Sequence, residues 1–229
     1  MFLNMKIHIA FFIIITNFSM SLTAQHIDKP YFETMTEKDE IPTEDGVLNL
    51  ENKVIPQEIY DEAIIALEHY PELWNTSITF QFKDDIKKST MQAQPRWKSF
   101  LKSRKKRAYI ILISRKIQID QDELNFSEVP SDVVTGWLGH ELGHVMDYRE
   151  RSSFGMLVFG VKYLYSGAHI KEVERTADVY AITHGMGTYI LKTKNFILEH
   201  ASISEAYKER LRSLYMSPEE VMHLLEEHK

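Results

Sequence analysis

The spacing of apolar residues along the chain predicts strands in its first half and mainly helices afterwards. Apolar and polar side chains alternate over Ser77–Phe82, and Tyr109–Ser114 is continuously apolar, so both segments are predicted strands. Apolar residues at three- and four-residue spacing predict helices at Gln57–Glu68, Ser131–Glu150, Lys171–His184 and through Tyr189–Lys229, with a break at Ser217–Pro218. Strands followed by helices are typical of an α+β fold.

Two further segments are notable for their composition. Phe154–Tyr165 is almost entirely apolar, but it is shorter than the roughly 20 residues that cross a bilayer, and Lys162 interrupts it. We expect it to pack in the core rather than contact a membrane. The basic run 102–107 is expected to be a solvated loop, with a rim that attracts acidic substrates as the alternative.

Composition narrows the classes of function. The 229 residues include 44% hydrophobic and 26% charged residues, which is ordinary for a globular protein of one domain with appendages. The net charge of -6 argues against a nucleic-acid partner, because proteins that bind phosphates usually carry a basic excess. The chain has no cysteine, which excludes disulfides and cysteine-based zinc sites.

Residues 1–24 have the pattern of a signal peptide. Lys6 marks a short basic region, Ile9–Thr16 forms an apolar core, and small residues lead to Ala24, the expected last residue removed. We therefore expect an exported protein, periplasmic or secreted, with no membrane span after cleavage; an uncleaved anchor is the alternative. Residues 25–53 are polar and acidic and are expected to form a flexible lead-in, or alternatively a propeptide that covers the active site.

The motif H-E-x-x-H at residues 140–144 is the main indication of chemistry. On a helix, His140 and His144 lie four residues apart and project from one face, so both imidazoles can reach a single divalent cation. Glu141 stands beside them, close enough to deprotonate a water molecule bound to that cation. Gly143 is a poor helix former, and its place inside the motif predicts a close approach by neighbouring backbone.

A third ligand is expected about thirty residues after the motif. Glu174 and Asp178 would be neighbours on a helix face, where two carboxylates repel unless a cation or donor lies between them. A metal bound by Glu174 would supply the cation, and Asp178 could accept a hydrogen bond from the outer nitrogen of a ligating histidine. The alternatives are a solvated acidic face without function, or a third ligand among His169, Glu172 and His184.

The combination of residues 140–144 with Glu174–Asp178 resembles the gluzincin zinc metallopeptidases. Its E-x-x-A-D form is most similar to the branch that contains the HtpX-like peptidases and their small soluble relatives, and the resemblance spans about residues 107–187. The resemblance implies a zincin-like domain with a small N-terminal sheet, an active-site helix and a helical C-terminal part. It implies zinc, Zn²⁺, on His140, His144 and Glu174, with Glu141 as general base and Asp178 behind the ligands.

The resemblance carries two further implications. It implies that Tyr109–Ser114 is a sheet edge along which an extended substrate pairs. The membrane helices typical of the HtpX-like enzymes are not found in this sequence, so their membrane substrates are not expected here.

These features predict an exported zinc metallopeptidase that acts on a peptide or protein substrate. The expected reaction is hydrolysis by Glu141-assisted attack of a zinc-bound water, with an endopeptidase favoured over an exopeptidase. Residues that could stabilise the oxyanion are His184, Tyr180, Arg175 and Tyr165. Two alternatives stay open: a catalytically silent zinc-binding scaffold with the same fold, and a latent peptidase held off by its N-terminal segment. Oligomeric state and cleavage preference do not follow from the sequence.

Overall fold

The computed structural model describes residues 47–227, except 85, 87–88, 101, 121 and 200–203. The predicted signal peptide and most of the predicted lead-in lie outside the described residues. The fold begins before residue 53, because a short 3-10 helix at Leu50–Asn52 leads into a strand that starts with Lys53. The side chain of Lys53 is buried, so this end of the predicted lead-in belongs to the folded part of the chain.

One sheet contains four of the described strands, in the spatial order β1-β2-β4-β3. β1, β2 and β4 are parallel, whereas β3 runs antiparallel to β4 and lies at the end of the order. A second, two-stranded antiparallel sheet is formed by β5 and β6. The strands are β1 (Lys53–Val54), β2 (Ile78–Lys83), β3 (Met91–Pro95), β4 (Tyr109–Ser114), β5 (Lys116–Ile119) and β6 (Asp122–Asn125).

The position of β4 corrects one expectation. The gluzincin resemblance implied that Tyr109–Ser114 is a sheet edge, but β4 pairs with β2 on one side and with β3 on the other. The continuously apolar sequence reflects this central position, because alternate residues from Tyr109 to Ile113 are fully buried while Ile110 and Leu112 are half-buried. Within the described chain, β3 is therefore the strand beside the motif helix that lies at a sheet edge.

Helices make up most of the rest of the described chain, which confirms the α+β class. α4 and α5 are joined by a kink at Ile182–Met186, in which Gly185 takes a positive φ of 81°. The helix predicted at residues 131–150 is found with the same bounds. The α-helices are α1 (Tyr60–Glu68), α2 (Ser131–Glu150), α3 (Ser153–Tyr165), α4 (Gly167–Ala181), α5 (Gly187–Leu198), α6 (Glu205–Leu214) and α7 (Pro218–Glu227).

α2 is the central element of the core. It contacts α1, α4, α5 and the edge strand β3, so almost every face of the helix is covered. Leu138, Leu142 and Val145 are fully buried along its length. The hydroxyl of Tyr70, which lies just after α1, donates a hydrogen bond to the carbonyl of Gly139 at 2.7 Å. These contacts hold the H-E-x-x-H segment rigidly inside the protein.

α3 only partly meets its predicted role in the core. Its inner side is buried at Met156 and Phe159, but its outer side exposes apolar residues that include Phe154 and Tyr165. Within the described residues, no helix combines the length and the apolar composition needed to cross a membrane.

Candidate metal centre

Two imidazoles of α2 form one side of a compact cluster. His140 and His144 project from the same face, and their ring centroids lie 4.7 Å apart with the rings nearly perpendicular. One ligand atom from each of His140, Glu141 and His144 can be chosen so that all three atoms lie within 4.8 Å of one another. This group could hold a metal ion, as the H-E-x-x-H spacing predicts.

α4 brings a carboxylate to the same point. Oε2 of Glu174 lies 3.2 Å from Nε2 of His140 and 3.6 Å from Nε2 of His144. Ligand atoms placed tetrahedrally around zinc at its usual bond lengths are separated by about 3.3 Å. Oε2 of Glu174 therefore lies from both histidine nitrogens at about the distance that two ligands of a tetrahedral zinc ion require, and these side chains fit that metal.

The crossing of α2 and α4 depends on Gly143. A Cβ atom at this position would lie 2.5 Å from the carbonyl oxygen of Ala177, which is far too close. The close backbone approach predicted from the sequence is confirmed. It brings the helix that carries Glu174 near enough for its carboxylate to reach both histidines.

Asp178 anchors the outer side of His140. Its Oδ1 lies 2.9 Å from Nδ1 of that ring, so a hydrogen on Nδ1 leaves the Nε2 lone pair directed at the cluster. Its Oδ2 accepts a hydrogen bond from Nζ of Lys194 at 2.7 Å and lies 3.4 Å from the amide nitrogen of Met216. Burial tends to raise the pKa of Asp178, but the charges of Lys194 and His140 outweigh it and hold the pKa at about 2.

His140 and Glu174, which meet at this cluster, strongly perturb each other's pKa. Burial alone would lower the pKa of His140, but hydrogen bonds to Asp178 and Glu174 raise it to about 10. Burial would raise the pKa of Glu174, yet the charge of His144 and hydrogen bonds from both histidines hold it well below its ordinary range. A negative carboxylate facing two imidazoles is an arrangement that a divalent cation stabilises, because the cation replaces the proton between them.

Tyr163 of α3 holds the second oxygen of the carboxylate. Its hydroxyl donates a hydrogen bond to Oε1 of Glu174 at 3.2 Å, which leaves Oε2 for the side of the histidines. Burial, and after it the charge of Glu174, raises the pKa of Tyr163 far above its ordinary value, so the phenol keeps its proton and stays a donor.

Glu141 faces the edge strand of the sheet. Its Oε2 accepts a hydrogen bond from the backbone N–H of Ala93 in β3 at 2.6 Å. Burial raises the pKa of Glu141 above its ordinary value, although the neighbouring histidines partly oppose that effect. A buried carboxylate with a raised pKa, placed beside a possible metal site, is suited to accept and release a proton.

The two histidines differ in their outer contacts. Nδ1 of His144 is buried and has no hydrogen-bond partner among the described residues, and its ring stacks on Tyr148 at 6.0 Å between centroids. The carboxylate behind His140 therefore has no counterpart behind His144 in the described chain.

Comparisons with protein-family models, curated proteins and solved structures give no match to this chain.

The other predicted candidates are engaged away from this centre. His184 places its Nε2 3.3 Å from the carboxylate of Glu72, contacts the Tyr180 carbonyl through Nδ1, and stacks on Tyr70. Arg175 makes a two-pronged ion pair with Glu220 at 2.7 and 3.1 Å.

The alternative ligands His169 and Glu172 pair with each other at 3.2 Å. Tyr180 is buried beside His184, with 6.1 Å between ring centroids, and Tyr165 is exposed on α3.

Sequence reasoning did not find Tyr215, whose ring lies beside that of His140. Its ring centroid is 6.2 Å from that of His140, and Nζ of Lys194 lies 4.8 Å from the centroid of the Tyr215 ring. The charge of Glu174, followed by burial, raises the pKa of Tyr215 well above its ordinary value. No local motif marks Tyr215, Lys194, Tyr163 or Ala93, because each reaches the centre from a different element of the fold.

Proposed function

We propose that this protein is a zinc-dependent endopeptidase of the gluzincin type. The observation that carries the proposal is the meeting of Nε2 of His140, Nε2 of His144 and Oε2 of Glu174 at separations of 3.2 and 3.6 Å, with Glu141 beside them. Three protein ligands leave a fourth tetrahedral position open, as catalytic zinc sites do. A structural zinc site would usually be closed by a fourth ligand and would need no general base.

Glu141 is the proposed general base. A bound zinc ion would lower the pKa of a water molecule and polarise the substrate carbonyl. Glu141 takes the proton from the attacking water and delivers it to the amine that leaves the cleaved peptide. The burial that raises its pKa makes this carboxylate a stronger base than an exposed glutamate and lets it carry the proton between the two steps.

The side of β3 that faces away from β4 supplies a surface for an extended substrate. Arg96 donates its N–H to Ala108, and Ser114 donates to Thr90, so the even-numbered residues of β3 bond to β4. Odd-numbered residues therefore direct their backbone groups outwards, and the N–H of Ala93 reaches Glu141. A peptide paired along this edge would pass beside Glu141. An edge of this kind supports an endopeptidase, because the strand continues on both sides of Ala93.

Tyr215 is the residue that we assign to stabilise the oxyanion. Its ring centroid lies 6.2 Å from that of His140, and the charge of Glu174 is the largest cause that raises the pKa of its phenol. Its raised pKa keeps the hydroxyl protonated, so it can donate a hydrogen bond to the negative oxygen that develops during attack on the carbonyl.

A cleavage profile on a mixed peptide library tests the proposal. Residues 25–229 loaded with zinc are compared with Glu141→Gln, which can still accept the hydrogen bond from Ala93 but cannot take a proton. We expect cleavage by the parent and a loss of between about 10²- and 10⁴-fold in the variant, with zinc content unchanged. The matched control is Glu172→Gln, because Glu172 is an exposed glutamate of α4 that contacts His169 and not the centre.

Two other outcomes would point to the alternatives. If parent and variant both retain zinc and neither cuts, a silent zinc-binding scaffold replaces the peptidase. If a chain beginning at residue 47 cuts and the chain beginning at residue 25 does not, the N-terminal segment holds the enzyme latent. This truncation must stop before residue 50, because Lys53 is buried in the fold.

A further inference from the structure

The outer side of α3 forms a continuous apolar face. Its exposed residues follow one another at spacings of three, one, three and four, so they lie on a single side of the helix. Phe154 and Tyr165 at the two ends are 76% and 75% exposed, and the three residues between them are about two-fifths exposed. The α3 apolar face consists of Phe154, Leu157, Val158, Val161 and Tyr165. Five neighbouring exposed apolar residues on one helix are more than ordinary surface composition explains.

A basic segment is fixed against the start of this face. Arg107 donates hydrogen bonds from its guanidinium to the carbonyls of Tyr148 and Arg151, and Ser153 donates to the carbonyl of Phe100 at 3.3 Å. The residues just before Arg107 are therefore held beside the N-terminal end of α3. The basic segment is 96–106, and its exposed cationic residues are Arg96, Lys98, Lys102, Arg104, Lys105 and Lys106.

The basic segment also carries an exposed aromatic residue. Trp97 is 68% exposed and stacks on Phe100, whose carbonyl is the acceptor for Ser153 at the start of α3. Sequence positions 91–107 contain no acidic residue, although the whole chain has a net charge of -6. Cations are thus concentrated beside an apolar surface on a protein that is otherwise acidic.

We propose that the α3 apolar face and the basic segment together form a surface that docks on an anionic phospholipid bilayer. Aromatic and aliphatic side chains enter the boundary between headgroups and acyl chains, while lysine and arginine stems reach the negatively charged headgroups. Charge complementarity favours this partner over a second copy of an acidic chain. The proposal does not depend on the peptidase activity.

Vesicle flotation tests the docking surface. Zinc-loaded residues 25–229, which contain every described element and omit the predicted signal segment, are mixed with vesicles of phosphatidylcholine alone or with about 30% phosphatidylglycerol. We expect the protein to float with the anionic vesicles and to be released by salt. Phe154→Ser should weaken partitioning about tenfold. Each of Lys105→Gln and Lys106→Gln should weaken it about fivefold on anionic vesicles only.

Matched controls lie on other parts of the fold. Val54→Ser removes an apolar side chain that is exposed on β1, and Lys83→Gln removes an exposed cation at the end of β2. Both should float like the parent. Far-ultraviolet circular dichroism and zinc content should be unchanged in every variant, because each substituted side chain is exposed.

Three results would overturn the proposal. The first is the absence of flotation with either vesicle composition. The second is flotation that Phe154→Ser and the two lysine variants leave unchanged. The third is a parent protein that does not bind vesicles but forms a concentration-dependent dimer in analytical ultracentrifugation, with the dimer lost in Phe154→Ser. That last result would assign the α3 apolar face to a second copy of the chain.

Discussion

At the scale of single residues, Asp178 connects the proposed ligand His140 to the rest of the fold. One oxygen contacts Nδ1 of His140 and the other contacts Nζ of Lys194, so the carboxylate bridges a ring of α2 and an ammonium group of α5. Its negative charge fixes which nitrogen of the imidazole carries the hydrogen. An asparagine would have nearly the same shape, but its amide could present either a donor or an acceptor to the ring.

Asp178→Asn should therefore weaken metal binding by about 10- to 100-fold, because the preferred tautomer of His140 is no longer enforced. Competition with a chromophoric chelator measures the dissociation constant. Glu172→Gln, on the exposed side of the same helix, should bind zinc like the parent. Equal affinities for Asp178→Asn and the parent would show that the contact with His140 has no influence on the metal.

Substitutions of Tyr215 and Tyr163 should affect catalysis and zinc binding, respectively. Tyr215→Phe should lower kcat by about 10²- to 10³-fold with zinc affinity unchanged, because it removes the hydroxyl that we propose as the donor to the developing oxyanion. Tyr163→Phe should instead weaken zinc binding, because Tyr163 orients the carboxylate of Glu174. Peptide cleavage kinetics measure kcat, and chelator competition measures zinc affinity, in both variants. A Tyr215→Phe enzyme with full kcat would require another donor.

The residues of the centre differ in whether the local sequence predicts them. His140, Glu141 and His144 follow from spacing on one helix, and Glu174 with Asp178 follow from spacing on another, so the sequence was enough to propose all five. Ala93, Lys194 and Tyr215 reach the centre through packing between distant segments, which no local pattern encodes. The oxyanion candidates named from sequence stood close to the motifs in the chain, yet His184 and Arg175 are paired with Glu72 and Glu220.

At the scale of elements, the separation of α2 and α4 sets the site. Gly143→Ala would place a methyl group 2.5 Å from the carbonyl oxygen of Ala177, so the helices must move apart. We expect a loss of about 1–3 kcal/mol in the free energy of unfolding and weaker zinc binding, since Glu174 moves with α4. Urea denaturation and chelator competition measure the two effects.

Gly167→Ala is the matched control for this substitution. Gly167 begins α4, and a Cβ atom there would meet nothing within 4 Å among the described residues. Alanine should therefore leave zinc affinity unchanged and stabilise the fold by about 0.4–1 kcal/mol, because it restricts the unfolded chain. If both glycine variants behave alike, the crossing of α2 and α4 does not depend on the missing side chain of Gly143.

Lys53 ties β1 to the turn that follows α1. Its Nζ donates hydrogen bonds to the carbonyls of Leu73, Trp74 and Thr76 at 2.8–3.2 Å, and burial lowers its pKa to about 8. Because the unfolded chain keeps this proton up to about pH 10.4, the parent should gain stability as pH rises from about 8 to that value.

A variant with a permanent charge isolates this effect. Arginine stays protonated throughout that interval, so the stability of the parent relative to Lys53→Arg should rise between about pH 8 and 10.4 and level off on either side. Other titrating groups are common to both proteins and cancel in the difference. Urea denaturation at several pH values measures it, and a difference that stays constant from pH 7 to 11 would contradict the lowered pKa.

The strands of the sheet were only partly predicted from the spacing of apolar residues. β2 and β4 were predicted from alternating and continuous apolar sequence, and both are found. β3 was missed, because Met91–Pro95 alternates with glutamine and ends in proline, a sequence without strong strand preference. The edge position that the gluzincin resemblance implied for Tyr109–Ser114 is wrong, because spatial order depends on long-range pairing and this segment lies between two strands.

At the scale of the whole molecule, a metal would join the two halves of the core. α2 packs on α1, α5 and the edge strand, whereas α4 contacts α3 and α6 as well as α2. A metal bound by His140 and His144 of α2 and by Glu174 of α4 would therefore cross the interface between these two helices. Without a cation, the negative charge of Glu174 is buried and balanced by protonated histidine. Metal binding should therefore stabilise the global fold as well as the site.

Removal of the metal tests this coupling. At free zinc about 1,000-fold above the dissociation constant, binding contributes about 4 kcal/mol to stability, which corresponds to roughly 10 °C in Tm for a chain of this size. Scanning calorimetry should show Tm falling by that amount with a chelator and rising with added zinc. Glu174→Gln should have a Tm that responds weakly to both, because the variant lacks the charged ligand that bridges α4 to α2. If the parent melts at one temperature with and without zinc, the cluster does not bind metal tightly in the folded protein.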